Sequence, residues 1–232
     1  MPLIMPKQYN NTLPRLPAAM LLHMDGANNS TNFVDVYGHT FTQSSAGAAV
    51  IKTGAQKMGN ACGYFNGTGC ITSPSAPEIT LGAADFTIDF WINPSTVTPA
   101  YQEFLTKGSG IQFYLQGNFL MIALSATNST SYFVINTVGT VSPNNWYHVA
   151  LVKLGNVYSA YLNGARSFNI TATETISDGG MQWVIGAYSP YITAGGAVNY
   201  PYTGYFDELR ILKGTASFVG PSFTVPTTPY TE

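Results

Sequence analysis

Residues 86–92 read Phe-Thr-Ile-Asp-Phe-Trp-Ile, and this stretch decides the fold class. Successive side chains of a β-strand point to opposite faces of the sheet. The apolar residues at the even-numbered positions therefore share one face, and the threonine, aspartate and tryptophan share the other. This period of two predicts a β-strand with one face in the core.

Similar alternating runs, rich in β-branched and aromatic residues, recur along the chain between glycine, proline and asparagine breaks. Between two of them, Asn163-Gly164 supplies the pair of positive φ angles that a type I′ hairpin turn requires. No window of eleven residues has helical spacing, so at most single helical turns are expected, for example at 55–58. The other predicted strands are 19–24, 111–115, 119–124, 132–135, 146–154, 157–162, 165–170, 182–185 and 205–212.

These runs predict an all-β chain of twelve or more strands. Many short antiparallel strands hide their edges by packing as two sheets, so the expected architecture is a two-sheet antiparallel β-sandwich of the jelly-roll type. A propeller is not expected, because the sequence has no internal repeat of about 40 to 50 residues. Both ends are rich in proline, which predicts an extended N-terminal arm at 1–18, the jelly-roll domain at 19–219 and an extended C-terminal tail at 220–232.

Charge and hydropathy exclude two classes of partner. The 232 residues include nine lysines and arginines against eleven aspartates and glutamates, a net charge of −2, with no basic cluster. Nucleic acid is therefore not an expected partner, because binding to phosphates needs a basic patch. No apolar stretch approaches the roughly 18 residues of a membrane span, and the first twenty residues lack the continuous apolar segment of a signal peptide.

Cysteine and histidine usage does not indicate a zinc site, because the two cysteines lie eight positions apart and the three histidines are scattered. A two-residue turn at 66–67 would place Cys62 and Cys70 on opposite faces, whereas a three-residue bulged loop would bring them within disulfide distance. Both arrangements remain open from the sequence. His148 alternates with apolar neighbours in a predicted strand, which favours a structural role.

A series of motifs resembles the laminin-G-like branch of the concanavalin A-like lectin/glucanase superfamily. The resemblance covers about residues 19 to 230 and implies a concanavalin A-like jelly roll. Its last part looks like the variety found in bacteriophage and marine bacterial surface proteins. The motifs are Leu-Leu-His-Met-Asp-Gly at 21–26, Gly-Tyr-Phe-Asn-Gly-Thr-Gly at 63–69, Asp-Phe-Thr-Ile-Asp-Phe-Trp-Ile at 85–92, Asn-Trp-Tyr-His-Val-Ala-Leu-Val at 145–152, Tyr-Leu-Asn-Gly at 161–164 and Gly-Tyr-Phe-Asp-Glu-Leu-Arg-Ile at 204–211.

Catalysis is not expected. The glucanases of the superfamily carry a Glu-x-Asp-x-x-Glu strand, which this sequence lacks. Glycoside hydrolysis needs two carboxylates about 5 to 9.5 Å apart. Asp85 and Asp89, four residues apart in one strand, would lie about 13 Å apart.

The resemblance, together with the terminal arms, predicts a non-catalytic virion-surface module of a bacteriophage, used in capsid decoration or in a tail fibre. Its expected partners are other virion proteins or like subunits, contacted through the arms in an oligomeric assembly. The alternative is an extracellular or cell-surface lectin or adhesin that recognises a host surface glycan.

A tyrosine-rich loop between strands is the candidate binding element, because tyrosine offers contact area with only two torsions to order. The predicted partner- or glycan-binding residues are Trp91, on the polar side of its strand, and Tyr188, Tyr191, Tyr200 and Tyr202 of the loop.

A structural calcium ion is predicted near the junction of the first and last strands, with Asp25 and Asp207 as ligands. Asp207 has the same parity as Leu209 and Ile211, which places a carboxylate at the start of an inward-facing run, at a cost unless it is paired or binds a metal. Laminin-G-like domains often carry calcium at a sandwich edge, so the resemblance implies the same. The alternative is that Asp25 caps backbone amides and that Asp207 pairs with Arg210 or Lys213.

Overall fold

A computed structural model describes residues 18–45, 47–188 and 198–231. These residues form sixteen β-strands and one short 3₁₀ turn at Pro77–Ile79. Within the described ranges, no helix could cross a membrane. The strands are β1 Met20–Leu22, β2 Phe33–Val34, β3 Thr40–Gln43, β4 Ala49–Lys52, β5 Cys62–Asn66, β6 Ile71–Thr72, β7 Phe86–Pro94, β8 Tyr101–Lys107, β9 Ile111–Gln116, β10 Phe119–Ser125, β11 Tyr132–Thr140, β12 Tyr147–Leu154, β13 Val157–Leu162, β14 Ala165–Thr171, β15 Trp183–Ile185 and β16 Thr203–Lys213.

The strands form two antiparallel sheets packed as a sandwich, which confirms the predicted fold class. The first sheet has the order β14-β13-β12-β7-β16-β5-β4, with β1 also paired to β16. The second sheet has the order β11-β10-β9-β8-β15-β6-β3-β2. Both sheets contribute large aromatic side chains to the space between them. The Phe90 ring stacks on Phe206 at a centroid distance of 4.9 Å and meets Phe113 of the facing sheet edge-on at 5.1 Å.

Most predicted strands are present, with ends shifted by a few residues, and the hairpin turn is confirmed by φ angles of 50° at Asn163 and 80° at Gly164. The short strands β2 to β6 and the polar strand β8 were not among the predicted strands. The expected helical turn at 55–58 is wrong, because this segment is a bent loop. Cys62 and Cys70 are both buried and free, since β5 lies in the first sheet and β6 in the second.

The C-terminal segment packs across the outer face of the first sheet. Phe218 and Phe223 stack on each other at 3.7 Å, and both rings contact Tyr161 of β13. The Tyr161 hydroxyl donates to the carbonyls of Phe218 and Gly220, at 2.8 and 2.9 Å. The tail therefore runs along its own domain over the part of the chain that the structure describes.

The tail ends on a buried cluster of charged groups. Arg210 donates to both carboxylate oxygens of Asp89, at 3.0 and 3.2 Å, and the Tyr230 hydroxyl donates to the same carboxylate. His148 Nε2 lies 3.3 Å from Asp89 Oδ2. Burial opposes the ionisation of Asp89, but His148 and Arg210 outweigh it, so the pKa of Asp89 lies below its ordinary value. A charged pair in the interior is stable only with this degree of compensation.

We expect Tyr230→Phe to lower the free energy of unfolding by about 1.5–3 kcal/mol, the range for a hydrogen bond to a charged group. Urea denaturation would measure it. Tyr101→Phe is the matched control, because the Tyr101 side chain is 43% exposed. Removal of its hydroxyl should change the free energy of unfolding by no more than about 0.5 kcal/mol. A Tyr230→Phe protein as stable as the parent would show that the tail contact with Asp89 does not stabilise the fold.

Candidate functional site

A pocket of about 320 Å³ opens on the outer face of the second sheet, and we call it the tyrosine pocket. Its volume lies at the lower end of the range for small-molecule sites. Five of its eight lining residues are tyrosines, and one is an acid. The lining residues are Tyr101, Glu103, Gln112, Tyr114, Thr130, Tyr132, Tyr188 and Tyr200.

Strand alternation places the deeper lining residues. In β9 the apolar Ile111, Phe113 and Leu115 face the core, so Gln112 and Tyr114 face outward. In β8 a register shift between Glu103 and Leu105 interrupts the alternation. Glu103 is directly opposite Tyr114 in the pairing of β8 with β9. The two strands thus place a carboxyl and a phenol side by side.

The segment that returns to β16 forms the third wall. The backbone groups of Tyr188 and Asn199 exchange hydrogen bonds of 2.9 and 3.0 Å, and the Glu103 amide donates to the Tyr200 carbonyl at 2.7 Å. Tyr200 has a φ of 52°, a left-handed conformation that is strained for a bulky residue. Such strain is common at binding sites, where the surrounding hydrogen bonds hold it.

Hydrogen bonds and ring contacts hold the tyrosine side chains that line the pocket. The Tyr132 hydroxyl donates to Gln112 Oε1 at 3.1 Å, and the Tyr188 hydroxyl lies 2.9 Å from Ser109 Oγ. On the other side, the Tyr101 ring lies 6.3 Å from Tyr114 and 5.7 Å from Tyr200, between ring centroids. The rings are therefore held in place before any ligand arrives.

Glu103 is the unusual group of the pocket. Its side chain is 6% exposed, and its Oε2 atom has no hydrogen-bond partner among the described residues. Burial alone raises the pKa of Glu103 to about 8, because no cation of the described residues compensates it. The carboxyl is thus largely protonated at neutral pH and has an unused hydrogen-bonding capacity.

A shallow groove continues from the tyrosine pocket toward β11. It is lined by residues of β9, β10 and β11, by Gly117 of the turn after β9 and by Ala100 before β8, with Phe119 48% exposed. Gln116 lines the groove and donates from Nε2 to the Tyr101 hydroxyl at 3.2 Å, so the two depressions share a boundary.

Two of the predicted binding residues, Tyr188 and Tyr200, line the tyrosine pocket. Tyr191 lies outside the described residues. The prediction for Tyr202 is wrong as to exposure, since its side chain is in the core against Phe65 and Phe104.

Trp91 is also not available to a partner. It faces outward from the first sheet, as its parity predicted, but it is only 4% exposed. Lys57 covers its ring at 4.4 Å, and His148 meets it edge-on at 5.0 Å. The covering loop, which sequence parity does not describe, is the physical reason for its burial.

Sequence reasoning missed the pocket residues of β8, β9 and β11. The outward series in β9, with Gln112, Tyr114 and Gln116 alternating with apolar residues, was a visible signal for an aromatic and polar outer face. The bulge in β8 gave no such signal, because it breaks the alternation at Glu103.

The predicted inward orientation of Asp207 is wrong. Strand β16 is bulged between Asp207 and Arg210, and Glu208 there has a φ of 53°. A bulge inserts an extra residue and so reverses the parity beyond it. Leu209 therefore faces the core, whereas Asp207 lies beside Trp91 and accepts from the amides of Lys57 and Met58, at 2.9 and 3.0 Å.

The contacts of Asp25 and Asp207 do not match the donor set of calcium. Asp25 Oδ1 accepts from the amides of Asn60 and Ala61, at 2.7 and 2.8 Å, so loop 57–61 presents N–H groups to both carboxylates. Calcium requires six to eight oxygen ligands. Across the described ranges, no group of three or more histidine, cysteine, aspartate or glutamate side chains is suited to a metal ion.

Calcium binding at Asp25 and Asp207 stays a prediction. Thermal melts in EDTA and then in added calcium would test it, since an ion at a hundred times its Kd adds about 2.7 kcal/mol to stability. Asp25 capping backbone amides agrees with the alternative, but Asp207 does not pair with Arg210 or Lys213, which bond to Asp89 and to the Pro77 carbonyl.

Residues 65–217, about two thirds of the chain, match the model of a protein family described as the concanavalin A-like lectin/glucanases superfamily. No curated protein matches the sequence.

Several solved structures share the architecture at low identity. Domain 4 of AbnA, an extracellular arabinanase from Geobacillus stearothermophilus in complex with arabinotriose, has a TM-score of 0.59 and 17% identity, covering 86% of this chain and 94% of that one. The type G botulinum neurotoxin receptor binding domain has a TM-score of 0.57 and 15% identity, covering 84% of this chain and 47% of that one. A sialidase domain from Ruminococcus gnavus bound to α2,3-sialyllactose has a TM-score of 0.50 and 15% identity, covering 64% of this chain and 88% of that one. At such identities the likeness concerns the fold.

The raised pKa of Glu103 predicts that the protein is less stable at pH 8 than at pH 5. Between its ordinary pKa and about 8, the carboxyl keeps its proton in the folded state and loses it in the unfolded state, so stability falls as pH rises. Asp207, whose pKa burial raises to about 8, and His23, whose pKa is raised by the Glu208 hydrogen bond, act in the same direction.

Glu103→Gln should therefore reduce the fall in stability without removing it, as measured by urea denaturation at pH 5 and pH 8. Glu174→Gln is the control, because that side chain is exposed and lies outside the tyrosine pocket. An equal fall in the parent and in Glu103→Gln would contradict the buried, uncompensated state of Glu103.

Proposed function

This chain belongs to the concanavalin A-like lectin/glucanase superfamily, and we propose that it is a carbohydrate-binding domain whose site is the tyrosine pocket. The observation that carries the proposal is the pocket itself, a concave site with five tyrosines around a buried polar base. Aromatic rings with polar tips suit a sugar, which has an apolar face of C–H groups and a rim of hydroxyls.

The lining supplies both kinds of contact. Tyr101 and Tyr200 are 43% and 52% exposed, so their ring surfaces are available for stacking. Glu103 and Gln112, each 6% exposed, provide hydrogen-bonding groups at greater depth. Because binding sites combine an apolar lining with a few placed polar groups, this distribution supports ligand binding.

The solved structures support the same class of ligand. The arabinanase domain is in complex with arabinotriose, and the sialidase domain is bound to sialyllactose. A domain with this function would act outside the cell or at a cell surface, where glycans are present.

Binding without catalysis is part of the proposal. Among the described residues that line the tyrosine pocket, Glu103 is the one carboxyl, whereas glycoside hydrolysis uses two across the scissile bond. The arrangement supports holding a sugar in place.

The bacteriophage virion-surface role stays a prediction. Residues 1–17 of the N-terminal arm, through which virion partners were expected, lie outside the described residues. Deleting residues 2–17 should leave the thermal midpoint within a few degrees and abolish incorporation into particles or oligomers. Unchanged assembly would contradict that role.

We expect Tyr101→Ala to weaken binding of the glycan at least tenfold, which corresponds to about 1.4 kcal/mol, a typical cost for an aromatic anchor. A glycan array on the parent chain would identify the ligand, and calorimetry would compare the variants. The thermal midpoint should barely change, because the Tyr101 side chain is exposed.

Tyr37→Ala is the matched control, since Tyr37 is 36% exposed and lies outside the pocket. The proposal would be contradicted by an array without any bound glycan, or by equal affinities for the parent and Tyr101→Ala.

A further inference from the structure

A single buried carboxyl group lies at the base of the tyrosine pocket without a partner. Glu103 is 6% exposed, and its Oε2 atom is unpaired within the described part of the chain. Its neighbours at the pocket mouth, Tyr101 and Tyr200, are far more exposed, so the carboxyl is reached only through the pocket. A buried acceptor without a donor is unfavourable, and a ligand that brings a donor removes that cost.

Among the described residues, no positive charge compensates Glu103. The described residues that line the pocket include no lysine, arginine or histidine. Burial is the one cause that raises the pKa of Glu103 to about 8. The nearest basic residue of β8, Lys107, is bonded to the Met181 carbonyl and paired with Asp178. A ligand that carries a positive charge would supply the compensation that these residues lack.

The tyrosine rings favour a cation at the same place. The face of an aromatic ring carries negative potential and attracts an ammonium group within about 6 Å. The groups that face Glu103 are Tyr114 on β9, Tyr132 on β11 and the rings of Tyr101, Tyr188 and Tyr200. An ammonium group among them would gain both from the rings and from the ionised carboxylate.

From these observations, and resting on the proposed function, we infer that the tyrosine pocket selects sugars that carry a free amino group, with the ammonium hydrogen-bonded to Glu103. A hexosamine unit offers this group together with the ring and hydroxyls of its neutral parent. Glu103 is thus the specificity-determining residue, and the tyrosines supply the contacts common to all sugars.

Pairing of Glu103 with the ammonium group of the sugar changes the number of protons that the carboxyl holds. At neutral pH the free carboxyl holds a proton, which leaves to solvent when the ammonium binds, so binding an ammonium sugar releases up to one proton. Affinity should rise from pH 5 toward pH 7, as Glu103 ionises more readily, and fall at higher pH as the sugar amine loses its own proton.

Calorimetry at pH 7 on the full chain would test the inference, with glucosamine and galactosamine compared with glucose and galactose. Each amino sugar should bind at least tenfold more tightly than its parent. Repeating the titrations in buffers of different ionisation enthalpy should show proton release for the amino sugars alone.

Glu103→Gln should reduce the preference to about threefold or less and abolish proton release, while Glu78→Gln, an exposed carboxyl outside the pocket, should keep both. Circular dichroism would verify that Glu103→Gln is folded, and the pH profile of the parent tests the same pairing without a variant. Equal binding of amino and neutral sugars by the parent would overturn the inference and leave the proposed function standing. If neither class of sugar binds, the inference is overturned, and the glycan array decides the proposed function separately.

Discussion

Strand β7 is buried on both of its faces, and this is the constraint on which the rest of the molecule depends. One face of β7 places Phe90 in the aromatic core. The other face carries Asp89 and Trp91, which would contact solvent if the domain were a simple two-layer sandwich. A charged group and a large ring beneath a covering layer require partners in that layer. Arg210, His148 and Tyr230 supply them for Asp89, and Lys57 covers Trp91. The loop at 57–61 and the C-terminal tail are therefore parts of the domain over the described residues.

This covering determines which surface can bind a ligand. The tail and the loop occupy the centre of the outer face of the first sheet, whereas the outer face of the second sheet carries the tyrosine pocket and the adjoining groove. The two faces differ because the loop at 57–61 and the C-terminal segment pack on one of them over the described residues. A binding site needs a stable frame beneath it, and β8 and β9 provide that frame through their core-facing residues.

The chain has few charges, and two of its buried acids, Asp89 and Glu103, have opposite environments. Asp89 is surrounded by an arginine, a histidine and a tyrosine, so it stays ionised and structural. Glu103 has no cation near it in the part of the chain that the structure describes, so it keeps its proton and an unused acceptor in a pocket that opens to solvent. The same chemical group thus serves the fold where its charge is compensated, and recognition where it is not.

The sequence by itself determined the fold class, most strand positions and the hairpin at Asn163, because alternation and turn chemistry are local properties. It also indicated the outward tyrosines at 188 and 200. Only the tertiary structure decided that Trp91 and Tyr202 are buried, since their exposure depends on segments far away in the chain. The bulge in β16 likewise reversed the expected direction of Asp207, because one extra residue in a strand leaves little trace in composition. The bulge in β8, a strand that the sequence did not predict, interrupts the alternation at Glu103. The pocket joins residues from 101 to 200, and only the pairing of their strands brings them together.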